Sequence, residues 1–251
     1  GTNGTVTFSD LDDMSIELQT SYSTINAGAG NDVISIQNGE GNTALGGSGD
    51  DVIIVREASN YVYGGSDNDE IVIDFVNGDV WGDLQTISSA TSQIDGGTNS
   101  TLNPFFINFE TTVSGSGQAG RTFNGQGDVL RIDTDINGGN TTAGDVIDFS
   151  AMVNDVILNI EILDIDNGDN NQVILNTTDI FDMTDHNHTL VIRGDANDSL
   201  NFDTLGESYT DGGTITDNDT GDTYNVFFSA GANVTLLVDT DIATSIDGAA
   251  V

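Results

Sequence analysis

The sequence predicts an all-β chain wound as a parallel stack of short strands. Three observations point there. A nine-residue frame repeats through the first ninety residues, apolar clusters alternate with polar residues, and 31 glycines stand against one proline. The frame is legible at 27–35, 46–54 and 64–72, which follow G-G-x-G-x-D-x-U-x with U a large apolar residue. Each unit reads as a six-residue turn and a three-residue strand, so two units make one coil of about eighteen residues.

Taken in order, stepping by nine from Ile53 reaches Val62, Ile71 and Val80, and stepping back from Ile34 reaches Ile25 and Ile16. The two frames differ by one residue, absorbed near 38–41, with Leu45 as the expected apolar rung. Alternation turns Ile34 and Ile36, Ile53 and Val55, and Ile71 and Ile73 inward. Past Trp81 the frame loosens. Another turn opens at 94–97, and the segment near 98–123, with Pro104, Phe105, Phe106 and Phe109, reads as an inserted loop with a small local core. The pattern resumes at 127–130 and 144–147, and strands are expected at 160–165, 172–175, 189–192, 224–228 and 234–238. A short helix is expected at 179–184, with Ile180 and Met183 on one face. The organisation is therefore a stack at 1–90 and a β-rich part at 91–251.

Charge decides the partners. The chain carries 41 acidic residues against four arginines, for a net charge of −37. Nucleic acid and anionic membranes need a basic patch, which four arginines cannot build. No apolar run approaches the ~20 residues that span a bilayer, and no cysteine offers a thiolate or disulfide. Aspartate outnumbers glutamate 34 to 7 and sits beside glycine and asparagine. Short carboxylates in glycine turns suit a hard cation, with calcium the natural candidate. Asp32, Asp51 and Asp69 are nineteen and eighteen residues apart, so they fall on one edge of the stack. The opposite edge presents Thr43, Asn60 and Gly78, a poor cation site, where Asn60 is expected to matter little. The reading is a one-sided calcium ladder.

These units resemble the nonapeptide repeats of RTX proteins, the calcium-binding β-rolls of bacterial toxins, proteases and adhesins exported by type I secretion. The match covers about a quarter of the chain. The resemblance implies that Asp32, Asp51 and Asp69 hold Ca2+ between coils, with carbonyls of Gly28, Gly30, Gly47, Gly49 and Gly65. Residues 194–200 form a degenerate copy of the turn, in which Asp198 takes the ligand position. The runs 159–166, 194–200, 234–241 and the small-residue ending 247–251 are similar to the C-terminal regions of giant RTX adhesins, which carry an uncleaved export signal. That implies a parallel calcium-binding β-roll followed by a capping and secretion domain, with the signal near 224–251. It further implies a type I exporter as partner, a monomeric chain, and a secreted or cell-surface location. The start at Gly1, without a leader, reads as a piece of a longer or processed protein. Residues 242–251 carry little charge and many small side chains, suiting an exporter or a frayed tail.

Other chemistries find few actors. His186 and His188, beside Asp185, are the only histidines and have no third ligand pattern. Neither H-E-x-x-H nor G-x-S-x-G occurs, so the chain is expected not to be an enzyme. A second reading is a calcium-dependent ligand-binding module for saccharide or ice. The turn positions Ala29 and Asn31, Ser48 and Asp50, and Ser66 and Asn68 form no threonine row, which argues against ice.

Overall fold

The structure, a computed structural model, describes residues 4–7, 13–75, 93–98, 121–123, 127–133, 145–153, 156–184, 188–217 and 220–251. The chain first alternates between two parallel sheets. The first sheet takes β1 (Thr5–Thr7), β3 (Thr24–Ala29), β5 (Thr43–Ser48) and β7 (Tyr61–Ser66), and the second takes β2 (Ser15–Leu18), β4 (Val33–Ile36), β6 (Val52–Val55) and β8 (Glu70–Ile73). One strand in each sheet completes a coil. Parallel register aligns Ile34 with Ile53 and Ile71, and Ile36 with Val55 and Ile73, all inward and at most 3% exposed.

The coil between the two frames departs from the expected register by one residue. Ala44, not Leu45, points inward, aligned with Ile25 and Val62, while Leu45 is half-buried on the outer face. Strand alternation decides which residue is buried, and a stride of nine counted across a turn of different length lands on the wrong face. Positions of the first sheet align Thr5, Thr24 and Thr43 in one row that continues to Tyr61 and Gln93.

The expected boundary near residue 90 lies outside the described residues, as do Gly78, Val80 and most of the 98–123 insertion. Pairing runs across it. β9 (Gln93–Thr98) adds to β7 with Gly97 opposite Gly65, after which come β10 (Arg121–Phe123) and β11 (Val129–Ile132). β11 adds to β8 and places Leu130 beside Ile71.

Beyond it a third sheet begins with β12 (Asp145–Asp148). β13 (Ile157–Leu158) closes the first sheet and β14 (Ile162–Asp164) extends the second. β15 (Asn171–Asn176) then joins β12, and the helix α1 (Thr177–Met183) follows directly. α1 starts two residues before its expected position because Asn176 caps it. Its side chain accepts from Thr178 and Asp179 N–H while Asp179 returns a bond to Asn176 N–H. Ile180 and Met183 are buried, and the Met183 carbonyl accepts Ile160 N–H at 2.8 Å, which seats the helix beside β13.

The chain then alternates between the second and third sheets. β16 (Thr189–Arg193) and β20 (Val234–Asp239) extend the second, while β17 (Ser199–Asp203) and β21 (Ala243–Ile246) extend the third. Between them β18 (Thr210–Asp217) and β19 (Thr223–Ser229) run antiparallel, and β22 (Ala249–Ala250) folds back on β21. Residues 242–251 are thus strand and hairpin, not a frayed tail. The fold is all-β apart from α1 among the described residues. One apolar core runs from Leu18 to Ile242, and a smaller one, with Ile162, Val191, Tyr224 and Leu237, lies on the other face of the second sheet.

Coil spacing is set by glycine. Gly47 has φ of +123°, and a Cβ there would overlap the Gly28 carbonyl oxygen; Gly65 and Gly97 repeat the arrangement in the next coils. Gly47→Ala is therefore expected to cost the positive φ, ~1–2 kcal/mol, and to force the coils apart as well. Gly168→Ala, with φ of +83° and nothing within 4 Å, meets only the first cost. Urea denaturation should show Gly47→Ala clearly the worse of the two, and equal losses would contradict close stacking.

Candidate cation edge

A strand entering a sheet from a turn carries a backbone N–H that no neighbouring carbonyl reaches. Here a side chain from the next coil supplies the acceptor. Asp32 Oδ1 accepts Met14 N–H at 2.8 Å, Asp51 Oδ1 accepts Asp32 N–H at 2.8 Å, and Asp69 Oδ1 accepts Asp51 N–H at 2.9 Å. The series continues beyond the insertion. Asp128 Oδ1 accepts Asp69 N–H at 2.8 Å, and Glu161 Oε2 accepts Asp128 N–H at 2.9 Å. All five residues are at most 1% exposed. The three aspartates expected on one edge are thus brought together, joined by two acids the sequence reading did not assign to it. Asp128 was traceable, because Asp128-Val129-Leu130 repeats Asp51-Val52-Ile53; the 58 residues between Asp69 and Asp128 break the stride. Glu161 has no glycine turn before it to mark it.

The second carboxylate oxygen differs. Oδ2 of Asp32, Asp51, Asp69 and Asp128 is buried with no hydrogen-bond partner among the described residues. A Cβ on Gly46 would overlap Asp51 Oδ2 and lie 2.5 Å from the Gly64 carbonyl oxygen. One on Gly64 would meet Asp69 Oδ2 and the Gly96 carbonyl, and one on Gly96 would meet Asp128 Oδ2 and the Asn159 carbonyl. In three successive coils a carboxylate oxygen and a carbonyl from the next coil therefore converge on the face of a glycine. Two acceptors facing each other repel unless a proton or a hard cation lies between them.

The turns around them have the expected shape. Gly28, Gly30, Gly47, Gly49 and Gly65 all have φ between +110° and +130°. Gly30 N–H and Gly49 N–H bond across to Ser48 and Ser66 carbonyls at 3.0 and 3.1 Å. Outside the acid row lies an exposed one, in which Asp13, Asn31 and Asp50 side chains accept Asn31, Asp50 and Asn68 N–H. No protein-family model, curated protein or solved structure matches this chain.

Asp198 is not part of this edge. It lies in the third sheet's turns, where Oδ1 accepts Asn171 N–H at 2.9 Å and Oδ2 accepts Asp195 N–H at 2.8 Å. Both its oxygens are engaged by the protein, unlike those of the acid row. Among the described residues no three acidic or histidine side chains gather into a cluster, so any cation here would rest largely on carbonyls. Asp185 and His186 lie outside the described residues.

The opposite edge also differs from expectation by one residue. Asn42, not Thr43, is the partner of Asn60: Asn42 Oδ1 accepts Ser23 N–H and Asn60 Oδ1 accepts Asn42 N–H, each at 2.9 Å. Asn60 is 2% exposed and also donates to the Glu57 carbonyl, so truncating it removes two bonds from a buried site.

Burial raises three carboxyls of the row, from an ordinary 3.8 to about 6 for Asp51 and about 8 for Asp69 and Asp128, with neighbouring acids adding to the shift. The sign follows from linkage. Between about pH 4 and pH 8 the cation-free folded chain holds protons that the unfolded chain has released, so stability falls as pH rises through that window. The urea midpoint of metal-stripped protein should therefore drop steadily from pH 5 to pH 8. Asp69→Asn should flatten that slope, and a midpoint that rises with pH would contradict the buried row.

Proposed function

We propose that the chain is a calcium-dependent folding and type I secretion module of a secreted or cell-surface adhesin of the RTX kind. In this reading its first ninety residues form a parallel calcium β-roll. One observation carries it: the row of buried carboxylates whose second oxygens face carbonyls of the next coil. The donor set suits Ca2+, which takes six to eight oxygens and accepts carbonyls readily. Asp32, Asp51, Asp69 and Asp128 would hold it, with glycine-turn carbonyls such as those of Gly28, Gly30, Gly47, Gly49 and Gly65.

Mechanistically the module is a switch. Extracellular-type calcium modules bind with dissociation constants of about 10⁻⁴–10⁻³ M, so they are empty in cytosol and filled outside. Without cation the net charge of −37 opposes compaction and keeps the chain threadable. With cation at about 100 times its dissociation constant, each site adds ~2.7 kcal/mol to folding. Residues 224–251 serve as the export address while unfolded and afterwards fold as β19 to β22, of which β22 ends the third sheet. No helix among the described residues is long and apolar enough to cross a membrane. We assign the chain no catalytic role, and take it to act as a monomer.

A second reading, ligand binding by the roll, is favoured by the row Thr5, Thr24, Thr43 and Tyr61 on the outer face of the first sheet. Regularly spaced hydroxyls beside a tyrosine suit a polar, sugar-like ligand, and Thr43→Val should weaken such binding without altering the calcium response.

Two measurements test the main reading. Circular dichroism should show part of the β structure lost in EDTA and regained in millimolar calcium but not magnesium, whose rigid octahedral demand fits carbonyl turns badly. A signal unchanged from EDTA to excess calcium would remove the switch. Deleting the last 28 residues should trap a reporter fusion inside cells that carry a matching exporter, whereas Asp32, Asp51 and Asp69 changed together to alanine should permit export and weaken folding outside. Equal export with and without those residues would leave them only a capping role.

A further inference from the structure

The two edges of the stack solve the same hydrogen-bonding problem with side chains of the same shape. At Asn42 and Asn60, as at Asp51 and Asp69, Oδ1 accepts a backbone N–H from the preceding coil. The remaining side-chain atom separates them. Asn42 Nδ2 donates to the Gly39 carbonyl at 3.2 Å and Asn60 Nδ2 donates to the Glu57 carbonyl at 2.9 Å, each closing its own turn. In the third sheet Asn171 Nδ2 likewise donates to the Ile165 carbonyl at 3.1 Å, and Asp198 Oδ2 takes an N–H from its own turn. Among the described residues, that atom finds no hydrogen-bond partner at Asp32, Asp51, Asp69 and Asp128 on the acid edge.

We infer that the cation requirement of each rung is set by this one atom. An amide brings its own positive hydrogens to the turn carbonyl, whereas a carboxylate leaves two acceptors that an external cation must bridge. The asparagine edge is thus a cation-free version of the acid edge, built into the same coils. It holds β3, β5 and β7 in register before any cation arrives, and the acid edge closes afterwards. This inference rests on the calcium reading above and adds which rungs respond and why.

The experiment compares how far calcium, relative to EDTA, shifts the urea midpoint in wild type, in Asp51→Asn/Asp69→Asn and in Asn60→Asp. The double variant keeps both Oδ1 acceptors and gains two amide donors, so its calcium shift should fall well below that of wild type, two acid rungs having lost their need. Asn60→Asp should move the other way, with a lower midpoint in EDTA and a larger calcium shift, as a new acid rung appears on the opposite edge. An unreduced shift in the double variant, or a double variant unfolded with calcium as well as without, overturns the inference. So does an Asn60→Asp protein whose shift equals that of wild type. If wild type itself shows no shift, the calcium reading falls and the inference with it, which distinguishes the two failures.

Discussion

Each coil is tied to the one before it by a side-chain oxygen that accepts a backbone N–H at the entrance of a strand. The turn carries the chain away from the sheet at that point, so no carbonyl can do this work. Only a short side chain ending in an acceptor fits, which is why aspartate or asparagine stands at nearly every such position. Glycine stacking depends on the same spacing. Coils drawn this close place one turn's carbonyl against the next turn's α-carbon, where no side chain fits. The inward isoleucines and valines fill the space so defined, and the core follows from the ladder's pitch as much as the ladder follows from the core.

This solution places negative charge where burial penalises it most. Three of the four arginines are committed elsewhere. Arg56 pairs with Asp74 at 2.7 Å, Arg131 with Glu70, and Arg193 with buried Asp217 at 3.3 Å. None of these pairs involves the acid row. Carboxylates beside carbonyls, with no arginine within the described residues to neutralise them, form an edge whose stability is set by the surroundings, by protons or by metal.

Much of this is legible in the sequence itself. The stride through Asp32, Asp51 and Asp69 located the acid edge, and the alternation around Ile34, Ile53 and Ile71 located the core, because strict repetition writes three-dimensional register into one dimension. Asn42 and Ala44 were each missed by one residue for a shared reason: the turn at 37–42 and the turn at 56–60 differ in length, and counting cannot show which residue alternation then buries. Asp128 and Glu161 were hidden by intervening sequence. The helix start was misjudged because Asn176 looked like the end of a strand when it is also the cap of α1. The strands at β17, β18 and β21 carry few large apolar residues, and pairing with neighbouring strands, not intrinsic preference, holds them there.

The join between Asp69 and Asp128 has a practical implication. Their hydrogen bond, and the pairing of β8 with β11, make two residues 59 positions apart in sequence immediate neighbours in the stack. The ladder therefore fixes where the chain leaves and re-enters, and outside β8, β9 and β10, which pair with neighbouring strands, it sets no length for the chain between. Loop-closure entropy grows only slowly with length, so the same junction could carry a longer or shorter passenger at little thermodynamic penalty. For protein engineering, it is a natural grafting point: a peptide inserted there would be displayed from a scaffold whose repeating register remains undisturbed.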